Sequence, residues 1–298
     1  MNLRQLRALV EIYESGSLQD ASTRMHVSQS ALSKTIKEFE NEIGITLLVR
    51  SNKGATLTEG GLRLLTHARQ AVETLRRAQQ EIEDFKGSIA GEISIGVTPV
   101  TALYPALHEI LVKYQAEFPH TKIKVQEMRP ANLLQRLRDG LLDFALTSQL
   151  PQSTVGFEWY GLSQVRSALI GRRNHPLRNV RSLRLLQNSR WISVDPISDS
   201  QSQINQLFEG NGLQLPANLM ECTALHLAFQ QVSQTDALMI TCRVNGHSLE
   251  TTMPHLDVRE IEVNEPIPDF PINLVCLSSN HLARNSAVFF NMLRETRN

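Results

Sequence analysis

The segment from residue 28 to residue 44 constrains this fold more than any other. It is predicted to be a helix because apolar residues recur at steps of four, three and four, at Leu32, Ile36, Phe39 and Ile43. Ser28 is a favoured N-cap and Gly44 a favoured C-terminal stop. The opposite face carries Gln29, Ser30, Ser33, Lys34 and Lys37. Such a face suits a DNA major groove, because Gln pairs with adenine edges and Lys contacts guanine or phosphate. An ordinary amphipathic surface helix is the alternative.

Two shorter helices are predicted before this segment. The first spans the apolar positions from Leu3 to Tyr13 and ends at Gly16. The second begins after the N-cap Ser17, with Asp20 three residues further on. Only residues 26–27 separate it from the Ser28 helix, and so tight a connection is typical of a helix-turn-helix.

A β-hairpin is predicted after the third helix, with strands at 47–50 and 55–57 joined by the turn 52–54. A hairpin in this place is a wing, and it carries two basic residues. The residues predicted to contact DNA are Ser28, Gln29, Ser30, Ser33, Lys34, Lys37, Arg50 and Lys53.

A series of motifs runs in order through residues 3–58: Gly16-Ser17-Leu18, Val27-Ser28-Gln29-Ser30-Ala31-Leu32-Ser33, Ile36, Glu40, Gly44, Leu47-Leu48-Val49-Arg50 and Gly54-Ala55-Thr56-Leu57-Thr58. These motifs, and the length and layout of the chain, resemble the LysR-type transcriptional regulators. Two residues depart from the family pattern, which usually has proline at Ser30 and alanine at Ser22. Ser30 gives up a preorganised first turn and adds a hydroxyl, which bears on base preference and not on the fold.

The overall charge gives no signal for nucleic acid, because the net charge of the 298 residues is zero. Residues 1–58 hold seven Lys or Arg against six Asp or Glu. DNA affinity must therefore come from local placement of the basic residues, and pairing of chains would multiply a weak single footprint.

One long helix is predicted from Thr58 to about residue 87. Its apolar positions alternate steps of three and four, which is a heptad seam formed by Leu65, Ala68, Val72, Leu75, Gln79 and Ile82. Gln79 is a candidate for setting the register of a pair. The alternative is a surface helix that packs on its own domain. The resemblance favours dimerisation, which would place two recognition helices on a two-fold related site.

The pattern changes at Gly91 to alternating strands and helices. A βαβαβ order is predicted first, with strands at 92–97, 122–125 and 143–147, which indicates a mostly parallel sheet. Further strands are predicted at 167–170, 191–194, 219–223, 238–241, 258–263 and 272–277, with helices near 201–209, 224–232 and around Val288.

This order resembles the effector domain of the same family, which is similar to periplasmic binding proteins. The predicted fold class is α+β overall: a winged helix-turn-helix at 1–58, a dimerisation linker helix at 59–88, and a two-lobed α/β effector-binding domain at 89–298. Lobe I is expected at about 91–161 and 268–298, and lobe II at about 162–267. The content of 41% hydrophobic residues suffices for two or three packed domains.

A ligand cleft is expected where the strands end, because polar residues and helix N-termini meet there. Each hydroxyl could equally be a helix cap. Arg129 follows the second strand and could pair with a carboxylate. The residues predicted to line the cleft are Thr98, Pro99, Val100, Thr101, Arg129, Thr147, Ser148, Ser193, Ser198, Thr223 and Thr241. The resemblance implies a small, often anionic, organic effector.

No catalytic, cofactor or metal site is predicted. The nine histidines show no paired ligand spacing, and the sequence has neither a Gly-x-Ser-x-Gly motif nor a phosphate loop. Cys222, Cys242 and Cys276 lack metal spacing. Buried bystander thiols are expected, although some members of the resembling family sense peroxide through paired cysteines. The charged first residues predict no signal peptide, and a cytoplasmic location is expected.

The sequence therefore predicts a DNA-binding transcriptional regulator that is controlled by a small molecule and is not an enzyme. The rival interpretations are a ligand-binding module whose N-terminal helices only dimerise, and a non-specific DNA-binding protein. The partners implied by the resemblance are double-stranded promoter DNA, the effector, further copies of the chain in a dimer or tetramer, and RNA polymerase. No membrane partner is expected.

Overall fold

A computed structural model describes residues 1–51, 54–85, 91–149, 156–243, 249–252 and 254–296. The N-terminal part consists of helices α1 (Leu3–Ser15), α2 (Leu18–Arg24) and α3 (Gln29–Ile43), the strands β1 (Leu48–Ser51) and β2 (Gly54–Leu57), and the long helix α4 (Glu59–Phe85). The two strands pair antiparallel, as expected of a wing.

The caps of the first three helices form as their local sequences predict. Ser17 and Ser28 accept hydrogen bonds from the backbone N–H groups of Asp20 and Ala31. Gly16 and Gly44 end α1 and α3 with φ of 70° and 75°, a left-handed conformation that favours glycine. Because both ends of each turn are fixed locally, the helices meet in a compact helix-turn-helix.

Strands and helices alternate from residue 91 onwards. Residues 91–165 form β3 (Gly91–Val97), α5 (Pro99–Ala102), α6 (Pro105–Glu117), β4 (Thr121–Glu127), α7 (Pro130–Arg138), β5 (Phe144–Thr147) and β6 (Glu158–Val165). Residues 167–260 form β7 (Ser167–Arg172), α8 (Leu183–Leu186), β8 (Arg190–Ser193), α9 (Gln203–Gly210), β9 (Leu219–Glu221), α10 (Leu225–Gln234), β10 (Ala237–Cys242), α11 (Leu249–Thr252) and β11 (Val258–Glu260). The chain closes with β12 (Phe270–Cys276), a 3₁₀ turn (Ser279–His281) and α12 (Arg284–Glu295).

These strands form two five-stranded sheets, one in each lobe. The order is β4-β3-β5-β12-β6 in lobe I and β11-β7-β10-β8-β9 in lobe II. β3 is parallel to β4 and β5, as predicted, whereas β12 is antiparallel to both of its neighbours. Lobe II likewise combines parallel pairs of β8 with antiparallel pairs of β7. Both sheets are therefore mixed, and the predicted mostly parallel sheet is limited to its first strands.

The chain crosses between the lobes twice. β6 was not among the predicted strands, because its residues show no regular alternation of buried and exposed side chains. It continues past residue 161 and pairs Val165 with Phe270 of β12. The first crossing therefore lies between β6 and β7, and the second between β11 and β12. No helix in the described ranges is long and apolar enough to cross a membrane.

Candidate functional site

The N-terminal half of α3 presents a polar surface held in place by a buried edge. Leu32, Ile36 and Phe39 are fully buried and fix the rotation of the helix. Gln29 and Ser30 are exposed at its first turn. The hydroxyls of Ser28 and Ser30 lie 3.0 Å apart, so Ser30 extends the cap instead of standing free. An amide and two hydroxyls thus share one exposed helix end.

The two lysines of α3 are exposed on the same side. Lys34 has 77% of its side chain exposed and lies 3.8 Å from Glu38, one helical turn away. So loose a surface pair is worth little, and Lys34 can exchange it for a phosphate. Ser33 is half-buried. Arg50 lies in β1, and Lys53 lies outside the described residues.

Glu40 connects the recognition helix to the wing, a contact that sequence reasoning missed. Its Oε1 atom accepts hydrogen bonds from the backbone N–H groups of Leu47 at 2.7 Å and Leu48 at 3.1 Å. The acidic group therefore faces inward and fixes the start of β1 relative to α3. Glu40 was noticed only as part of a family motif, because its partners depend on the fold.

The predicted seam of α4 divides into two parts. Leu65 and Ala68 are buried in a cluster with Leu6, Leu9 and Phe39 of the same chain. Their placement at a dimer interface is therefore corrected: they join α4 to its own DNA-binding domain. Val72 and Leu75 are half-buried, whereas Gln79 and Ile82 are exposed. Ile82 is 57% exposed, so this position of the seam is not buried by its own chain.

A cavity of about 600 Å³ lies between the two lobes. Lobe I contributes the start of α7 and the end of β5, and lobe II contributes the loop after β8. Three of the predicted cleft residues, Arg129, Thr147 and Ser198, line it. The remaining lining residues are Pro130, Ala131, Asn132, Leu133, Leu134, Arg138, Gln149, Trp159, Pro196 and Asp199.

The hydroxyl group of Thr98 lies near those of Thr101 and Ser148, but these residues do not line the cavity. The Thr101 hydroxyl donates to the carbonyl of Leu146 at 2.9 Å and accepts from the N–H of Thr98. Thr98 accepts from the N–H of Ser148 at 3.3 Å. Both threonines are buried, so they serve as caps that tie α5 to β5. Pro99 begins α5, and Val100 packs into the core of lobe II.

The other predicted hydroxyls also lie outside the cavity lining. Ser193 donates to the carbonyl of Asp195 at 2.7 Å, which makes a local turn. Thr241 is buried in β10, where it pairs with Ala168. Thr223 is half-buried before α10. Most hydroxyls at these strand ends satisfy backbone groups, as the capping alternative predicts.

Two polar contacts bridge the lobes beside the cavity. Arg129 Nη2 lies 3.0 Å from Glu221 Oε1, so the cation predicted to bind a ligand carboxylate already pairs with lobe II. Gln149 Nε2 donates to Asp199 of lobe II. Asn273 Nδ2 donates to the carbonyl of Gln149 at 3.0 Å and holds that segment against β12. These partners are distant in sequence, and no local pattern pointed to them.

The cavity wall offers hydrogen-bond donors. Trp159 Nε1 is buried without a hydrogen-bond partner. No side chain caps the start of α7, whose first N–H groups point out of the helix. Arg138 lies 4.8 Å above the ring of Phe157. A ligand with acceptor atoms would satisfy the N–H groups at the start of α7.

A pair of carboxyl groups lies on the lobe II side. Burial raises the pKa of Asp195 to about 6; the backbone N–H of Gln203 opposes the rise, and the nearby charge of Asp199 adds to it. Asp199 Oδ1 accepts from the N–H of Gln201 at 2.9 Å. Asp195 and Asp199 therefore each accept a hydrogen bond from a backbone N–H group of the segment that follows β8.

The three cysteines are free and buried. Burial raises the pKa of Cys242 to about 11 and, with the charge of Glu158, that of Cys276 to about 12. Thiols of such high pKa form little of the reactive thiolate. Within the described residues, no group of three or more His, Cys, Asp or Glu side chains could hold a metal ion.

Two family models match the chain and together cover most of it. Residues 3–62 match the bacterial regulatory helix-turn-helix protein, lysR family, and residues 86–298 match the LysR substrate binding domain.

Similar chains include two nitrogen assimilation regulatory proteins named nac. The one from Klebsiella aerogenes is 35% identical over 146 residues, covering 49% of this chain and 48% of that protein. The one from Escherichia coli K12 is 30% identical over 195 residues, covering 65% and 64%. The chain thus spans about half to two thirds of the length of these relatives.

The solved structure of CbnR, a LysR family transcriptional regulator, has the same fold. It superposes with a TM-score of 0.73 at 19% identity and covers 100% of both chains. Full-length CbnR complexed with its target DNA gives a TM-score of 0.71 at 19% identity, covering 99% of this chain and 100% of CbnR.

Proposed function

The chain belongs to the LysR family of bacterial transcriptional regulators, and we propose that it binds promoter DNA sequence-specifically under the control of a small molecule held between its lobes. The observation that carries this proposal is the exposed polar end of α3. Three buried residues, Leu32, Ile36 and Phe39, fix that end in a helix-turn-helix. The solved complex of CbnR with its target DNA supports the same role.

DNA recognition is assigned to α3 and the wing. In this proposal Gln29 pairs with an adenine edge, while Lys34 and Lys37 contact phosphates. Arg50 and Lys53 of the wing add phosphate contacts by family resemblance.

Pairing of chains follows from the part of α4 that its own domain leaves uncovered. Gln79 and Ile82, which are exposed, are proposed to pair with a second copy, which would present two recognition helices to a two-fold related site. Assembly to a tetramer, contact with RNA polymerase and a cytoplasmic location complete the proposal. They rest on family resemblance, and the proposal includes no catalytic step.

The effector is proposed to be a small organic acid. The cavity of about 600 Å³ has the size of an ordinary ligand site. The first N–H groups of α7, which no side chain caps, suit a carboxylate or carbonyl. Because Arg129 already pairs with Glu221, the ligand is expected to rely on these donors or to compete for that ion pair.

DNA binding by α3 is tested with the full chain and its own upstream DNA. Lys34→Ala or Lys37→Ala should weaken binding to all sequences and reduce the slope of log affinity against log salt by about one. Gln29→Ala should instead reduce the preference for the best site over single-base variants, by roughly 1–3 kcal/mol at one base pair. Fluorescence anisotropy titrations at several salt concentrations measure both effects.

Lys113→Ala is the matched control, because Lys113 is an exposed lysine on α6. It should leave affinity and salt slope unchanged. A chain that forms no complex with DNA would favour the module whose N-terminal helices only dimerise. Equal affinity for all sequences would favour a non-specific DNA-binding protein.

A further inference from the structure

Helix α7 connects the cleft between the lobes to the long helix α4. Its residues from Pro130 to Leu134 line the cavity, together with Arg138 at its end. Its last residues and the turn after it lie against α4. Leu133 and Leu137 are fully buried, so α7 is packed firmly on lobe I. Over about ten residues, a helix transmits a displacement across about 15 Å as one rigid body.

The C-terminal end of α7 is bound to α4 through polar contacts. Gln70 Nε2 donates to the carbonyl of Arg138 at 2.8 Å. Arg69 Nη1 lies 3.4 Å from Asp139 Oδ2. Asp139 is buried, and its other oxygen accepts from Gln135 Nε2 at 2.9 Å. The carboxylate therefore belongs to α7 and follows its movement.

Arg69 contacts the DNA-binding domain as well. Its Nη2 atom lies 3.5 Å from Glu14 Oε1, and its guanidinium lies 4.9 Å from the ring centre of Tyr13. Only 13% of the Arg69 side chain is exposed, so water screens these interactions little. One arginine thus joins α1, α4 and lobe I.

Gly140 brings the two elements unusually close. It follows α7 with a φ of 73°, and a Cβ atom at this position would lie 2.8 Å from Glu73 Cγ and 3.0 Å from Glu73 Cβ. A side chain there would collide with the Glu73 side chain of α4 and would be strained by the left-handed backbone. The contact at the end of α7 therefore depends on a close approach of backbone to helix.

We propose that Arg69 and Asp139 form a coupling junction through which α7 conveys the state of the effector cleft to the DNA-binding domain. This inference rests on the proposed function. A ligand that separates Arg129 from Glu221 changes the position of α7 relative to lobe II. Movement at the far end of α7 then changes the Arg69–Asp139 contact, and Arg69 redistributes between Asp139 and Glu14. The orientation of α1 and α4 is thereby linked to the cleft.

A double-mutant cycle on the full chain tests the junction without an effector. Arg129→Ala removes the ion pair between the lobes and should change affinity for upstream DNA by about fivefold or more. In the Asp139→Asn background, the same substitution should change affinity by less than about twofold. Arg129 and Asp139 lie at opposite ends of α7, and independent sites this far apart give additive effects.

Two further variants complete the test: Gln70→Ala is an alternative to Asp139→Asn, and Arg173→Ala is the control. Gln70→Ala replaces an exposed side chain and removes its hydrogen bond to the carbonyl of Arg138. It therefore takes the place of Asp139→Asn in the cycle if that variant fails to fold. It should reduce the effect of Arg129→Ala in the same direction. Arg173→Ala breaks a comparably exposed ion pair, with Asp257 at 3.2 Å in lobe II, and should leave DNA affinity unchanged.

The outcomes separate the two proposals. If the variants fold and their effects on DNA affinity are not additive, the result supports the junction. Additive effects in both backgrounds, with the sequence preference of the parent intact, overturn the junction and leave the regulator function standing. A parent chain without sequence preference overturns the regulator function, and the junction with it.

Discussion

For single residues around the cleft, the residue type in the sequence and the hydrogen bonds in the fold point to different roles. Thr98 and Thr101 carry hydroxyl groups at the end of a strand, where a ligand site was predicted. In the structure these hydroxyls bond to backbone groups of β5 and the residue after it. Trp159 looks like an ordinary apolar residue in the sequence, yet its buried Nε1 atom has no hydrogen-bond partner among the described residues. A polar residue becomes a binding group only when the fold leaves it without a partner.

Glu158 provides a pH-dependent test at this scale. The hydroxyl and backbone N–H of Ser279, together with the Tyr160 hydroxyl, lower the pKa of this half-buried carboxyl from 4.5 to about 2. The folded state therefore favours the charged form, so the stabilisation is present above pH 4.5 and is lost as the pH falls toward 2.

Glu158→Gln should lower the unfolding free energy at neutral pH by about 1 kcal/mol, a value reduced by solvent screening. The difference from the parent should shrink as the pH falls through this range. Urea denaturation at a series of pH values measures it. A difference that stayed constant down to pH 2 would contradict the assigned cause of the pKa shift.

At the scale of elements, α4 serves two purposes along its length. Its first half completes the core of the DNA-binding domain through Leu65 and Ala68. Arg69 and Gln70 then meet the end of α7. Ile82 lies beyond both contacts and is exposed. The helix therefore connects the DNA-binding domain, the effector domain and the proposed partner chain in that order.

Substitutions at the two ends of α4 should have different effects. Leu65→Ala leaves a cavity in the core and should lower the unfolding free energy by about 2–4 kcal/mol. Ile82→Ala should leave the stability of the folded chain nearly unchanged and weaken dimerisation. Denaturation at several protein concentrations measures the loss of stability, and sedimentation velocity measures the loss of dimerisation. Unaltered dimerisation in Ile82→Ala would exclude this stretch from the interface.

At the scale of the whole molecule, the cavity between the two lobes is the main feature of the effector domain. Arg129–Glu221 and Gln149–Asp199 are the bridges beside the cavity. A ligand that binds both lobes stabilises the folded chain by mass action, by about 2.7 kcal/mol at 100 times its dissociation constant. The cleft can therefore be located by its effect on thermal stability.

A thermal-shift screen of the full chain against small carboxylates, amino acids and aromatic acids should identify such a ligand. Asn132→Ala removes an exposed cavity residue at the start of α7 and should reduce the shift. Asn218→Ala, a change at an exposed asparagine outside the cavity lining, should preserve it. Equal shifts in all three proteins would place the ligand elsewhere.

The sequence by itself determined the N-terminal domain almost completely. The apolar spacing of α3, the caps Ser17 and Ser28 and the stops Gly16 and Gly44 act between residues a few positions apart. Such interactions can be predicted from a short stretch of sequence, because the residues that cap and end each helix are close in sequence to the backbone groups they bind. The alternation of strands and helices likewise indicated α/β units, and the family resemblance implied that they form two lobes.

Only the tertiary structure decided which residues form the sites between these units. Arg129 and Glu221 are 92 positions apart, and Arg69 and Asp139 are 70 apart. Whether such residues meet depends on the packing of everything between them. The same applies to Leu65 and Ala68, whose apolar spacing fits a partner chain and their own α1 equally well. Periodicity identifies a face that must be buried, and the fold selects what buries it.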